Sequence, residues 1–237
     1  MTATPIPRSL ALASYGDMEI SIITEKPFGR KPIKTVLVSN KRISEVIEKL
    51  SLAVKKGNQA YWVCPLVEES EISNKISAEV RHASLLKSFD KGTVGLVHGQ
   101  MSNREKDEAM EAFVSGATKV LVATTVIEVG VDVPNATIMV IERAEGFGLS
   151  QLHQLRGRVG RGNLASHCLL MYEHPLSEVG YKRLNTVRET EDGFEIAEQD
   201  LKMRGAGDLI GTAQSGRPGF LFANLETQAD LMEVAHT

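Results

Sequence analysis

The sequence predicts an α/β fold in which a parallel sheet alternates with helices and is followed by a C-terminal helical hairpin. Three observations carry this expectation. Short apolar runs rich in β-branched residues recur along the chain, among them TVLVS (35–39), AYWVCPL (60–66) and HCLLMY (167–172), with helix-period stretches between them. That alternation belongs to strands buried on both faces and joined by crossover helices. Several runs stop at polar residues, as strands do when their carboxyl ends face a site. Beyond about residue 175 the strand-like runs cease and helical periodicity takes over.

The opening Thr2-Ala3-Thr4-Pro5-Ile6-Pro7-Arg8 carries two prolines that disfavour a helix, whereas residues 9–13 can begin one. A strand is expected over 19–25, then a Pro, Gly and Lys/Arg-rich connector, PFGRKPIK (27–34). Thr35 to Ser39 is the first strand of the main unit. An amphipathic helix follows from Ile43 to Lys56, with Ile43, Val46, Ile47, Leu50 and Val54 on one face and Gly57-Asn58 as its stop. In the next strand Tyr61 and Trp62 suit either base stacking or, preferably, core packing. A helix over Asn74–Phe89 leads to a strand over Thr93–His98. Ser102 with Glu105 three residues on forms a capping box for a helix over Asn103–Phe113. Lys119–Thr125 and Thr137–Ile141 are strands flanking a polar turn that contains Gly130, Asp132 and Pro134. Finally, Glu178–Thr190 reads as a helix with Val179, Tyr181, Leu184 and Val187 inward. Asp192-Gly193 turns the chain, and Phe194–Arg204 is a second helix, with Phe194, Ala197 and Leu201 inward and Gly205 as its C-cap.

Composition excludes several classes of protein. With 237 residues, 42% hydrophobic and 24% charged, the chain has the balance of a soluble globular protein and length enough for a sizeable core. No run approaches the roughly 18 apolar residues of a membrane span, and the start lacks a signal-peptide pattern, so a cytoplasmic location and no membrane partner are expected. Cys64 and Cys168 form no CxxC pair, and each reads as a buried strand cysteine. The six histidines show no metal-ligand spacing. The net charge of −3 argues against coating nucleic acid, although residues 1–56 hold ten Lys and Arg against five acids. Any contact with nucleic acid is therefore local.

The chemistry concentrates between Thr118 and Arg161. In Gln151–Arg161, Leu152, Leu155 and Val159 alternate with Arg156, Arg158 and Arg161, and Gly157 and Gly160 separate the arginines. A guanidinium is planar, permanently charged and a five-donor fork, so clustered arginines suit phosphate oxygens. Adjacent glycines allow the backbone to approach closely. An exposed basic helix end is the plainer reading, and the polar strand-end turn just upstream weighs against it.

These residues carry a resemblance. VATTVIEVGVDVP (122–134) resembles motif V of superfamily 2 helicases, and QLHQLRGRVGR (151–161) resembles their motif VI, in matching order and spacing. The resemblance implies a RecA-like P-loop-NTPase-type sheet, the second of two motor lobes, with no Walker A loop of its own. It implies that Arg158 and Arg161 reach the β/γ-phosphates of ATP, that Gln154 senses the nucleotide, that Gly130 and Asp132 line the ribose, and that Thr124 touches nucleic-acid backbone. Thr2, Ala3 and Thr4 resemble the coupling tripeptide of motif III, which places the chain's beginning inside a larger domain. The strand from Ala60 resembles motif IV. His98-Gly99-Gln100-Met101 looks like the HGxM segment, which implies DNA-backbone contacts by His98 and Gly99. On this reading residues 1–30 close a first lobe and its linker, 31–175 are the second lobe, 176–217 the hairpin and 218–237 a tail.

Absences matter as well. The sequence has no G-x-x-x-x-G-K-[ST] loop and no strand-borne acidic pair for magnesium. Asp107-Glu108-Ala109 imitates a DExx box in letters only, because it falls mid-helix on a solvated face. The glycines 205, 207 and 211 lack the spacing and the preceding strand of a dinucleotide fingerprint. ATP and Mg²⁺ would be held mainly by a first lobe, and the chain alone is expected not to hydrolyse ATP.

The stretch DGFEIAEQDLKMRGAGDLIGTAQSG (192–216) resembles the translocation motif of two relatives within superfamily 2, the branch-migrating DNA helicases and the transcription-repair coupling factors. Arg183, Arg204 and Gln214 match the motif's polar positions, and the ending GFLFANL (219–225) favours the branch-migrating group. That resemblance implies an ATP-dependent translocase on duplex DNA. It would remodel branched DNA in recombination and repair (fork reversal, Holliday junction branch migration), with a first helicase lobe and a wedge domain of the same protein as partners. Two alternatives stay open at this level: the corresponding lobe of a coupling factor, and a non-catalytic module that binds DNA or protein.

Overall fold

The computed structural model describes residues 31–65, 71–124 and 133–204, with the side chains of 71–76 and 204 left undescribed. The expected strand near residue 20, the opening tripeptide, Gly130, Asp132, Gln214 and the tail lie outside the described residues. Six strands are seen: β1 (Ile33–Ser39), β2 (Gln59–Val63), β3 (Val94–Val97), β4 (Val120–Ala123), β5 (Ala136–Ile141) and β6 (Ser166–Tyr172). The helices are α1 (Ile43–Lys55), α2 (Glu71–Leu85), α3 (Asn103–Val114), α4 (Leu149–Arg156), α5 (Glu178–Glu189) and α6 (Gly193–Arg204).

All strand pairs are parallel, in the order β1-β6-β5-β2-β4-β3. Every strand is therefore re-entered from the same edge. Strand alternation divides the interior into two cores. Ala60 and Trp62 of β2 face one layer with Val120, Val122 and Val140, against Val46 and Leu50 of α1 and Ala78 and Leu85 of α2. Tyr61 and Val63 face the other, with Leu121, Met139, Ile141, Cys168 and Leu170, against apolar residues of α3, α4, α5 and α6. Burial on both faces is why β2 and β4 read as unbroken apolar runs rather than alternating ones. Tyr61 and Trp62 are core residues, and the Tyr61 ring meets Phe113 with centroids 4.8 Å apart.

The capping box forms as expected: the Ser102 hydroxyl accepts from the Glu105 amide at 3.3 Å, and the Glu105 carboxylate accepts from the Ser102 amide at 2.8 Å. The Ser102 hydroxyl, at 2.7 Å, and the Ser102 amide both donate to the Glu105 carboxylate, and these two bonds hold its carboxyl below the usual carboxylate range. Asp107 and Glu108 are solvent-exposed on α3, and Glu108 pairs with Arg104.

Two helices differ from expectation, one in its bounds and one in its buried face. Helix α2 spans Glu71–Leu85 rather than Asn74–Phe89. At its end Lys87 and Ser88 bond back to Ser84 and Leu85, a tightening into turns, so Phe89 packs on the core from outside the helix. On α5 the buried positions are Gly180, Leu184 and Val187, whereas Val179 and Tyr181 are each 56% exposed. The true stripe runs i, i+4, i+7 through a glycine, which carries no hydrophobic signal. Helix α6 buries Ile196, Ala197 and Leu201, and Asp192 accepts from the Phe194 amide at 2.8 Å to cap its start.

The segment before β6 closes tightly on the start of β1. Gly160 has φ +70, and a Cβ there would lie 2.9 Å from Cγ1 of Ile33. Gly160→Ala should therefore cost about 1–3 kcal/mol, from left-handed strain and the clash together. Urea unfolding of the chain tests this, and an unchanged midpoint would contradict the packing described.

Both cysteines are buried and unpaired. Burial pushes the Cys168 thiol up to about 12, opposed by the positive charge of Arg156. The Cys64 thiol is raised further, by burial and by the nearby Glu142 carboxylate. A raised pKa keeps the thiol protonated at pH 8, and burial shields it from reagents. Neither cysteine should react with an aromatic disulfide reagent at pH 8 until the chain is unfolded; rapid labelling of the native chain would show that these sites are open.

Candidate functional site

Because the sheet is parallel, the polar residues that follow strands β2 to β5 gather at its carboxyl edge. His98 follows β3, Thr124 follows β4 and Glu142 follows β5. Thr124 is 2% exposed, and its amide donates to the Val97 carbonyl at 3.3 Å, extending the sheet by one residue. The HGQM segment closes as a turn: the Met101 amide donates to the His98 carbonyl at 3.2 Å, and the His98 amide approaches Met101 Sδ at 3.4 Å. Gly99 and Gln100 are exposed at its tip, with Lys106 Nζ on the Gly99 carbonyl at 3.0 Å.

Beside this edge is a polar cluster with no counterpart in the sequence reading. The buried Glu142 carboxylate accepts from Trp62 Nε1 and from two nitrogens of Arg81, with Nη2 at 3.0 Å. The Arg81 guanidinium also lies 5.6 Å from the centre of the Trp62 ring. Such a bidentate, charge-assisted pair fixes α2 to the ends of β2 and β5. Eighty residues separate Trp62 from Glu142, so only the crossover order brings them together.

The arginines stand at the other edge. Helix α4 begins after a 3-10 turn over Ala144–Gly146, which follows β5, and the segment after α4 enters β6 at Ser166. That segment rests on the starts of β1 and β5: Gly160 abuts Ile33, and Gly162 faces the Pro134 carbonyl. The two edges are separated by strands of four to seven residues, about 13–23 Å at roughly 3.3 Å per residue. Thr124 and the arginine loop thus lie at opposite ends of the strands, and the chain between Thr124 and Val133 lies outside the described residues.

The three arginines do not form one cluster. Arg161 is exposed, with its Nε 3.3 Å from the Gly157 carbonyl, and Arg158 is half-buried on the same loop. Gln154 is exposed on α4. Arg156 is 2% exposed and points inward. Its Nη1 donates to the carbonyls of Val187 and Thr190, the latter at 2.8 Å, and its Nη2 lies 2.9 Å from His153 Nδ1. Arg156, which the motif resemblance left out of the phosphate contacts given to Arg158 and Arg161, is turned into the fold. Its phase explains why: 149, 152 and 156 fall on the buried stripe of α4, whereas Arg158 and Arg161 lie past the helix end.

The hairpin residues are placed in part. Arg183 is half-buried and donates to the Glu145 carbonyl at 2.9 Å. Arg204 is the last residue of α6. Ser150 of α4 hydrogen-bonds Asp200 of α6 at 3.3 Å. Among the described residues no group of three or more His, Cys, Asp and Glu could hold a metal ion, and no helix is long and apolar enough to cross a membrane.

Comparison with known proteins agrees with this architecture. Residues 41–163 match the helicase conserved C-terminal domain, and residues 190–236 match domain 3, C-terminal, of the ATP-dependent DNA helicase RecG. The chain is 54% identical over 226 residues to ATP-dependent DNA helicase RecG of Pasteurella multocida, covering 95% of this chain and 33% of the relative. It is 50% identical over 236 residues to the Escherichia coli K12 protein of that name, covering 99% of this chain and 34% of the relative. A solved structure of RecG bound to a three-way DNA junction aligns with a TM-score of 0.76 at 46% identity, over 98% of this chain and 30% of that one. The chain spans about a third of the length of the curated relatives it matches. With a parallel sheet of this order, an arginine loop after α4 and a helical pair behind it, the chain belongs to the helicase C-terminal domain family and corresponds to the C-terminal helicase portion of RecG.

Proposed function

We propose that this chain is the second motor lobe of an ATP-dependent translocase on duplex DNA that remodels branched DNA in recombination and repair. The observation that carries the proposal is the separation of the arginines. Arg158 and Arg161 are presented on a glycine-flanked loop, while Arg156 is withdrawn into the fold. A loop that carries two arginines, in a sequence with no phosphate loop, is half of a nucleotide site. A first lobe of the same protein supplies the cradle for ATP and Mg²⁺, and Arg158 and Arg161 complete it from across the cleft. Gln154, exposed on α4, senses the nucleotide, and Gly130 and Asp132 line the ribose.

The opposite edge serves DNA. Thr124 and the turn at His98 and Gly99, which is exposed at Gly99 and Gln100, meet the nucleic-acid backbone, and Arg204 and Gln214 act in translocation. Thr2, Ala3 and Thr4 couple the two sites. The RecG structure that aligns with this chain is bound to a three-way DNA junction, which supports a branched substrate. Arg183 acts from within the fold, holding the hairpin to the turn that precedes α4.

Each cycle then has a physical sequence. ATP bound to the first lobe attracts Arg158 and Arg161, the two lobes close, and hydrolysis weakens that attraction and releases them. An arginine supplied in this way is worth about 10³–10⁵ in rate among nucleotide hydrolases.

In the intact two-lobed protein, Arg161→Ala should lower DNA-stimulated ATP hydrolysis by at least about a thousandfold while nucleotide binding persists. Turnover at the wild-type rate would remove Arg161 from the site. The isolated chain should show no ATP turnover with or without branched DNA; activity abolished by Arg161→Ala would mean that it contains a phosphate cradle of its own.

A further inference from the structure

Arg156 is the largest charged side chain buried in the described fold, and its place explains what it does. It is the last residue of α4, immediately before the loop that carries Arg158 and Arg161. Its acceptors are the carbonyl of Val187, in the last turn of α5, and that of Thr190, the residue that ends α5. The last carbonyls of a helix have no intrahelical donor and carry the negative end of the helix dipole. A buried guanidinium there satisfies both needs. The third contact, between Nη2 and His153 Nδ1, holds the fork in plane and requires the proton of a neutral His153 ring to sit on Nε2.

Two further contacts fasten the same elements. Ser150 near the start of α4 meets Asp200 of α6, and Arg183 of α5 meets the Glu145 carbonyl in the turn before α4. At the α5–α6 turn, the Glu191 carboxylate accepts from the amide of Ile33, the first residue of β1. Ile33 is also the residue against which Gly160 of the arginine loop packs. The arginine loop, the turn between the hairpin helices and the first strand of the lobe therefore meet within a few residues of one another. Of these contacts, only those of Arg156 run directly from the helix that launches the loop to the end of α5.

We propose that Arg156 is a positioning residue that makes the arginine loop and the helical hairpin move as one body, and that it takes no part in binding phosphate. The proposal rests on the motor-lobe reading for its consequence: displacement of Arg158 and Arg161 on nucleotide closure is transmitted to α5 and α6 through this bracket. A lysine at the same place keeps the charge but has no planar fork, so it can serve one carbonyl but not both in the same geometry. A methionine replaces the apolar stem and removes every donor.

The test uses the intact two-lobed protein with Arg156→Met and Arg156→Lys, reading ATP hydrolysed and branched DNA remodelled in the same reaction. For Arg156→Met, DNA-stimulated hydrolysis should stay within about twofold of wild type with an unchanged KM for ATP, while DNA remodelled per ATP hydrolysed falls about tenfold or more. Arg156→Lys should recover most of that ratio. A rise in KM for ATP with loss of hydrolysis would make Arg156 a phosphate ligand, and an unchanged ratio would make it a packing residue; either result overturns the proposal. Amide hydrogen exchange of the present chain tests the bracket apart from any activity. Arg156→Met should speed exchange about tenfold over residues 186–193 and leave the sheet amides unchanged, and no local change there would also overturn it. If wild-type turnover proved independent of Arg161, the motor-lobe reading would fail while the exchange result still decided the bracket.

Discussion

The parallel sheet is the constraint from which the rest follows. A strand in such a sheet delivers the chain to one edge, and the next parallel strand is entered from the other, so every connection crosses the molecule. In this chain the crossing separates two kinds of polar residue. His98, Thr124 and Glu142 follow strands and collect at the carboxyl edge, whereas the loop bearing Arg158 and Arg161 precedes β6 and rests on the starts of β1 and β5. The two surfaces stand a strand length apart on one shared sheet.

The hairpin is attached to this frame through polar contacts as well as apolar ones. Leu184, Val187 and Ile196 join the core, but several contacts that set position end on backbone carbonyls: Arg156 on Val187 and Thr190, Arg183 on Glu145. Apolar burial is nondirectional and tolerates sliding, whereas a guanidinium shared between carbonyls fixes one geometry. A helical pair attached in the second way is fixed in position as well as buried. The buried Arg81–Glu142–Trp62 group has the same character on the other face, tying α2 to the ends of β2 and β5.

Much of this was legible before any coordinates. Apolar runs located all six described strands to within one or two residues, except that β2 ends at Val63, ahead of the expected Leu66. The Ser102–Glu105 box, the solvated Asp107 and Glu108, and the core placement of Tyr61, Trp62 and both cysteines followed from local chemistry. The errors share a cause. On α5 a glycine stood in the buried stripe, so counting apolar residues chose Val179 and Tyr181, its neighbours in sequence. On α2 the pattern extended past Leu85 because Phe89 is apolar and reaches the core by another route. In QLHQLRGRVGR the motif match set Arg158 and Arg161 apart from Arg156, and the spacing 149, 152, 156 puts Arg156 on the buried stripe of α4.

By itself the sequence determined the α/β class, the strands, the arginine loop and the family, because periodicity, capping and motif spacing are properties of neighbouring residues. Tertiary structure alone decided that the Arg156 guanidinium ends on the carbonyls of Val187 and Thr190. It also decided that the arginine loop and Thr124 occupy opposite edges, and that Glu142 meets Trp62 and Arg81. Those outcomes depend on strand order and on the carbonyls of a helix thirty residues away, and contacts of that kind leave no local pattern in the chain.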